Sequence, residues 1–164
     1  MREMRHVMNR IEEPSYTDIT ALFSSTVEDV KREHPEALIK LATPKNSGAQ
    51  VPSVVEPDIR ELVTNSTSAT DDDNPVVTIE AEQTEDDWVT VTITDNGPGL
   101  PEIEAEVLET GEEGPLKHGK GLGLWLVRMI TKQAGGDIAV TTTGKGTEIK
   151  LTIPTKFRTQ FTQV

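Results

Sequence analysis

The 164-residue chain reads as an α/β protein, a two-layer sandwich in which a mixed sheet of about five strands packs against about three helices. Three observations point there. Trp88 to Thr94 alternates strictly, with Val89, Val91 and Ile93 on one face and Thr90, Thr92 and Thr94 on the other, the period of a strand. Ile19, Leu22, Phe23, Val27 and Val30 form one apolar stripe at helical spacing. The remaining patterned segments bring the total to about five strands and three helices.

Taken in order, Met1 to Glu13 carries Met4, Val7, Met8 and Ile11 on one helical face, and Pro14 ends that segment. A helix this short is not stable alone. Ser15 and Asp18 make a capping-box-like start to an amphipathic helix over Asp18 to Glu33. Leu38 to Ala42 reads as a short strand and Thr43 to Val55 as a loop. Pro57 suits the first position of the next helix, whose core face is Ile59, Leu62 and Val63. Val76 to Gln83 and Trp88 to Thr94 form a hairpin across Thr84 to Asp87. Leu100 to Lys117 is a long acidic connection with room for a short helix around Ile103 to Leu108, and loops of this length are functional or disordered. A helix follows with Leu122, Leu126, Met129 and Ile130 at helical spacing, closed by Gly135-Gly136. Ile138 to Thr142 and Glu148 to Ile153 make a last hairpin, with Ile149, Leu151 and Ile153 facing inward. The chain therefore divides into a preceding helix at 1–14, one domain over 15–155 and a polar tail at 156–164.

Composition narrows the function. The chain has 28 acids against 16 bases, a net charge of -12, so nucleic acid and anionic membrane are disfavoured partners. It has no cysteine, hence no disulfide and no thiolate metal site, and its three histidines are not spaced for zinc. No apolar run approaches the ~18 residues of a membrane span, and no signal-peptide pattern opens the chain. A soluble cytoplasmic protein is expected. The dispersed acids suit either a salt-adapted cytoplasm or an ordinary acidic protein.

Two glycine clusters carry the chemistry. The strand ending at Thr94 runs into Asp95-Asn96-Gly97-Pro98-Gly99, which places a carboxylate at the lip of a sheet beside bare backbone. The same residues are also good turn formers. About twenty residues on, His118-Gly119-Lys120-Gly121-Leu122-Gly123-Leu124 leads into the apolar helix. Glycines before a helix N-terminus bring amide N–H groups and the positive end of the helix dipole to an anion. Two phosphate motifs are excluded. Gly114 to Lys120 begins like a P-loop, but Gly121 stands where a Ser or Thr should be and no strand precedes it. The dinucleotide pattern fails at Leu124, where its third glycine belongs.

Together, Asp95-Asn96-Gly97-Pro98-Gly99 and Gly119-Lys120-Gly121-Leu122-Gly123-Leu124 resemble the two glycine boxes of the catalytic, ATP-binding domain of sensor histidine kinases, in the superfamily of gyrase, Hsp90 and MutL. Gly144-Lys145-Gly146-Thr147 resembles the third box, and Glu61 to Asn65 the asparagine box. The run from Gly111 to Gly119 most resembles kinases of halophilic archaea. The resemblance implies a Bergerat-type ATP-binding fold, with the 1–14 helix as the stub of a dimerisation-type helix and Leu100 to Lys117 as an ATP lid. It implies ATP and Mg2+ as ligands. Asp95 would accept from the adenine amine, with Gly97 and Gly99 admitting the base. Thr147 would support Asp95 or the adenine through water, or is simply a strand threonine. Gly119, Lys120, Gly121, Leu122, Gly123 and Leu124 would form the phosphate cradle. Asn65 would hold magnesium, and Glu61, four residues earlier, would tune metal or nucleophile.

The implied partners are a histidine phosphoacceptor on a dimerisation domain and a response regulator downstream, with no nucleic acid and no membrane insertion by this chain. The match departs from the family at Ser68 and Ala69, where a basic residue and His or Tyr are usual, and in the absence of any Phe, Tyr or Trp from residues 101–118. No histidine is followed by an acid: His6 precedes Val7, His34 precedes Pro35 and His118 precedes Gly119. The expected function is phosphoryl transfer from ATP in two-component signalling. The alternatives are a regulatory nucleotide-binding module with little or no catalysis and a small Mg-dependent ATPase using Glu61.

Overall fold

The computed structural model describes residues 15–42, 49–68, 74–85, 87–98, 120–143 and 146–155. The expected helix at 1–14, the tail at 156–164 and the connection from Leu100 to Lys117 lie outside the described residues.

The elements run β1 (Tyr16–Asp18), α1 (Ile19–Glu33), β2 (Leu38–Ala42), β3 (Gln50–Pro52), a 3-10 turn (Ser53–Val55), α2 (Glu56–Ser68), β4 (Val76–Glu85), β5 (Trp88–Asp95), α3 (Lys120–Gln133), β6 (Asp137–Thr143) and β7 (Gly146–Pro154). The main sheet has five strands in the order β2-β4-β5-β7-β6. β2 pairs parallel with β4 and every other pair is antiparallel, so the sheet is mixed.

β5 is central, and its alternation sets the layers. Residues opposite one another in register share a face. One row is therefore Ile79, Ile93, Ile149 and Val140, and the next is Ala81, Val91, Leu151 and Ile138. These side chains are buried, apart from the half-buried Val140, and merge with the buried stripes of the helices into one core. Each such Val, Leu or Ile contributes about 1.5–3 kcal/mol when fully buried. The other face carries Thr78, Glu80, Thr92, Thr94, Glu148 and Lys150, which are half-buried or exposed. With helices on one face and polar side chains on the other, the described residues form the expected two-layer sandwich, a five-stranded sheet against three helices.

Asp18 is the N-cap of α1, its Oδ2 accepting from the Ala21 N–H at 3.1 Å. Ser15 lies in the extended segment before it, its carbonyl accepting from the Ser53 N–H at 2.9 Å, so it is no part of a capping box. That contact belongs to a small second sheet of β1 against β3, in which Tyr16 faces Pro52. The expected 43–55 loop thus holds a strand and a 3-10 turn that runs straight into α2. Glu56 rather than Pro57 opens that helix. α3 closes with the two-bond glycine cap: the Gly136 N–H reaches the Thr131 carbonyl at 2.9 Å, and that of Gly135, at φ 88°, reaches Lys132 at 3.0 Å.

Two expectations for α3 are corrected. From Leu124 onward its buried residues are Leu124, Val127 and Thr131, while Leu126, expected on the core face, is 39% exposed. Gly121 and Gly123 do not precede the helix but lie within its first turn.

The helix directions matter for the site. β4 begins where β5 ends, since Val77 faces Asp95. α2 ends at Ser68 and the chain returns at Val76, so the C-terminal end of α2 lies toward Asp95. α3 ends beside the start of β6, where Asp137 faces Thr152, at the opposite end of the sheet. The two helices pack together and run antiparallel.

Candidate functional site

Asp95 is the last residue of β5 and continues the inward row of Val89, Val91 and Ile93, so its carboxylate points into the helix layer and is 7% exposed. A buried carboxylate needs hydrogen-bond donors. Oδ1 accepts from the Gly97 N–H at 2.8 Å and from the Thr147 N–H at 3.4 Å. Both are backbone amides, one from the turn after β5 and one from the start of β7. Oδ2 takes no hydrogen bond among the described residues.

Gly146 explains how β7 comes this close. It adopts φ 143°, and a Cβ built on it would lie 1.9 Å from the Asp95 carbonyl oxygen. Any other residue there would push the two strands apart. On the opposite side Asn96 ties the end of β5 to β4: its Oδ1 accepts from the Val76 N–H at 2.9 Å, and its own N–H reaches the Val76 carbonyl at 3.3 Å.

The second part of the site is the start of α3. Lys120, Gly121, Leu122 and Gly123 are its first four residues, the positions whose N–H groups have no partner within a helix. The donors inferred from the glycine cluster are therefore first-turn amides. Leu124 is 1% exposed and belongs to the core, so its side chain anchors the start of α3 rather than facing a ligand. Gly99 and Gly119 lie outside the described residues.

The third part is α2. Ile59, Leu62 and Val63 are buried as expected, and Glu61 and Asn65 are half-buried one turn apart. An open cavity of about 530 Å3 lies beside the helix, lined by Ser53, Glu56, Pro57, Arg60, Glu61 and Thr64. Glu61 borders it; Asn65 and Asp95 do not. Among the described residues no group of three His, Asp or Glu side chains converges as a metal site. A metal here would depend on single protein donors such as the Asn65 amide oxygen, with phosphate oxygens supplying the rest, which suits magnesium.

A hydrogen-bonded polar pair of the interior escaped the sequence reading. Asp58 of α2 is 2% exposed and Thr131 of α3 is fully buried, and the Thr131 hydroxyl donates to Asp58 Oδ2 at 3.2 Å. Burial pushes the Asp58 carboxyl up to about 7; the Thr131 bond opposes this and the charge of Glu61 adds to it. The signal was present as polar residues within apolar stripes: Asp58 beside Ile59 and Leu62, and Thr131 after Leu124 and Val127.

This arrangement, an inward carboxylate at the end of a central strand, first-turn amides and a helix bearing an amide and an acid, meets a match to known proteins. The family described as histidine kinase-, DNA gyrase B-, and HSP90-like ATPase matches residues 57–156. The chain belongs to this family. The match spans α2, β4, β5, α3, β6 and β7, and so every part of the site. Among curated relatives, the sensor histidine kinase ZraS of Salmonella typhi is 35% identical over 85 residues, 51% of this chain but 18% of the relative. ZraS of Salmonella typhimurium is 34% identical over the same shares. This chain thus spans under a fifth of the length of the relatives it matches.

Solved structures agree on the fold. The mycobacterial sensor histidine kinase MprB superposes with TM-score 0.74 at 21% identity, over 89% of this chain and 100% of that one. The catalytic domain of the histidine kinase ThkA gives 0.71 at 23%, over 87% and 97%. Full-length ShkA in complex with AMPPNP gives 0.71 at 21%, over 89% and 32%. As an ATPase-family domain the chain has ATP as its ligand class. No described helix is long and apolar enough to cross a membrane.

Proposed function

We propose that this chain is the ATP-binding catalytic module of a histidine-kinase-like signalling protein. It transfers the γ-phosphoryl group of ATP to a histidine on a dimerisation domain, with a response regulator downstream. The observation that carries the reading is Asp95, a nearly buried carboxylate held by two backbone amides through one oxygen. The other oxygen is left to accept the exocyclic amine of adenine, with Gly97 and Gly99 giving the base room. Guanine presents a carbonyl at that place and would meet an unpaired acceptor. Thr147 acts through its N–H, by orienting the carboxylate.

The phosphates lie against the first turn of α3, where Lys120, Gly121, Leu122 and Gly123 offer amides, Gly119 precedes them in sequence and Leu124 fixes the turn to the core. Asn65 holds magnesium, which neutralises phosphate charge when bound. Glu61 orients the attacking group. Phosphoryl transfer needs positioning and charge neutralisation more than covalent help, and these residues supply both. The module occupies residues 15–155. We place it in the cytoplasm of a salt-adapted cell, on its acidic balance of 28 acids to 16 bases. A second reading, a small ATPase, is favoured by Glu61 bordering an open cavity.

Calorimetry with Mg-ATP and Mg-GTP tests the adenine contact. Mg-ATP is expected to bind more tightly. Asp95→Ala should weaken it ten-fold or more, from the loss of a charge-assisted bond worth about 1.5–3 kcal/mol. Equal affinities for the two nucleotides, or for the two proteins, would remove Asp95 from the site.

A further inference from the structure

The α2–α3 interface contains a polar contact that the reaction itself does not use. Asp58 and Thr131 meet at 3.2 Å where apolar residues would pack as well. The two helices pack together, and along them the same stretches carry the buried Ile59, Leu62 and Val63 on α2 and Leu124 and Val127 on α3. Apolar stripes of this kind attract without direction and tolerate sliding along the helix axis. A hydrogen bond does not, because it weakens steeply once its geometry is lost. Replacing a buried polar pair by an apolar pair of similar volume is often neutral or stabilising. What this pair adds over apolar packing is thus register more than stability.

Thr131 is itself tied to the cap that closes α3. Its carbonyl accepts from the Gly136 N–H at 2.9 Å, and a Cβ built on Gly136 would lie 3.3 Å from its methyl group. The contact sits at the end of both helices remote from Asp95. From Asp58 to Asn65 is seven residues, and from Thr131 back to Leu124 is seven more. At the helical rise each is about 10 Å. Because the helices are antiparallel, these equal lengths bring Asn65 level with the first turns of α3. An axial slip of α2 moves Glu61 and Asn65 by the same amount relative to the first-turn amides.

We propose that Asp58 is a positioning residue for the ATP reaction: its bond to Thr131 sets the register of α2 against α3, and with it the height of Glu61 and Asn65 over the amides that open α3. The proposal rests on the function given above. Misplacing reacting groups by 1 Å costs on the order of 100-fold in rate.

The test uses the whole chain with Asp58→Leu and Thr131→Val together, which keep the interface filled but remove the bond. Two quantities are read: the melting temperature, and the ratio of ATP affinities with and without magnesium. The expected result is an undiminished melting temperature with the magnesium-dependent ratio cut about ten-fold, a misplacement well short of the full loss. Asp58→Asn, whose amide oxygen still accepts from the Thr131 hydroxyl, should rescue the ratio; this variant also decides the matter if the double variant does not fold. A double variant that is stable with an unchanged ratio, or an Asp58→Asn protein that loses the ratio, would overturn the positioning role. Failure of the wild-type chain to bind ATP at all would instead overturn the proposed function, and the inference with it.

Discussion

Asp95 owes its place to a residue that has no side chain. Gly146 lets β7 approach until a Cβ would sit 1.9 Å from the Asp95 carbonyl oxygen, and that approach brings the Thr147 N–H to the carboxylate. Gly146→Ala should therefore damage fold and site together. The φ of 143° alone costs a non-glycine residue about 1–3 kcal/mol, and the clash adds to it. A thermal melt should show a lower transition, and ATP titration a weaker affinity. A variant as stable as wild type would mean that β5 and β7 separate without penalty. Asp95 itself was legible from its position between an alternating strand and a glycine turn. Thr147 was expected to support it or the adenine through water, but the direct bonds from two backbone amides were not legible. The Thr147 amide comes from 52 residues away in sequence, and only the β5–β7 pairing brings it in.

At the scale of elements, the pattern was readable where it was long. β5 kept its two faces, and α1 kept its stripe from Ile19 to Val30. β1 and β3 were missed because three residues cannot display a period, and each has one fully buried residue at most. β4 runs on to Glu85, past the expected end at Gln83, through a register shift between those residues. On α3, Leu126, Met129 and Ile130 competed with Leu124, Val127 and Thr131. Both sets have helical spacing, and a threonine disguised the one that is buried. Asp58 was hidden for the same reason.

The α2–α3 interface also carries a pH dependence. The Asp58 carboxyl titrates near 7 in the folded chain, against an ordinary value of 3.8. A raised acid favours the folded state while protonated, so the contribution of Asp58 to stability is fully present below about 4 and is lost as pH rises toward 7. Asp58→Asn removes the titration. The stability of that variant relative to wild type should rise across this window, by up to about 4 kcal/mol, and level off above it. Denaturant melts of both proteins from pH 4 to 8 give the difference directly, with the other acids cancelling. A difference that stays flat would show that Asp58 is not a buried titrating group.

Over the whole molecule, charge dominates. A net charge of -12 opposes compaction, and the described ion pairs are largely at the surface, as in Lys132 with Asp137 at 2.9 Å. Raising KCl from low to molar concentration should raise the melting temperature by screening this repulsion. A flat or falling transition would count against salt adaptation. The catalytic proposal also concerns the molecule as a whole, since none of its three histidines is followed by an acid. The described one, His34, caps the end of α1. The most direct measurement is therefore the fate of label from γ-labelled Mg-ATP, with and without a separately supplied histidine-bearing dimerisation domain. Acid-labile label is expected on that domain and not on this chain. Steady release of free phosphate without the acceptor, abolished in Glu61→Ala, would contradict the kinase reading and establish the ATPase in its place.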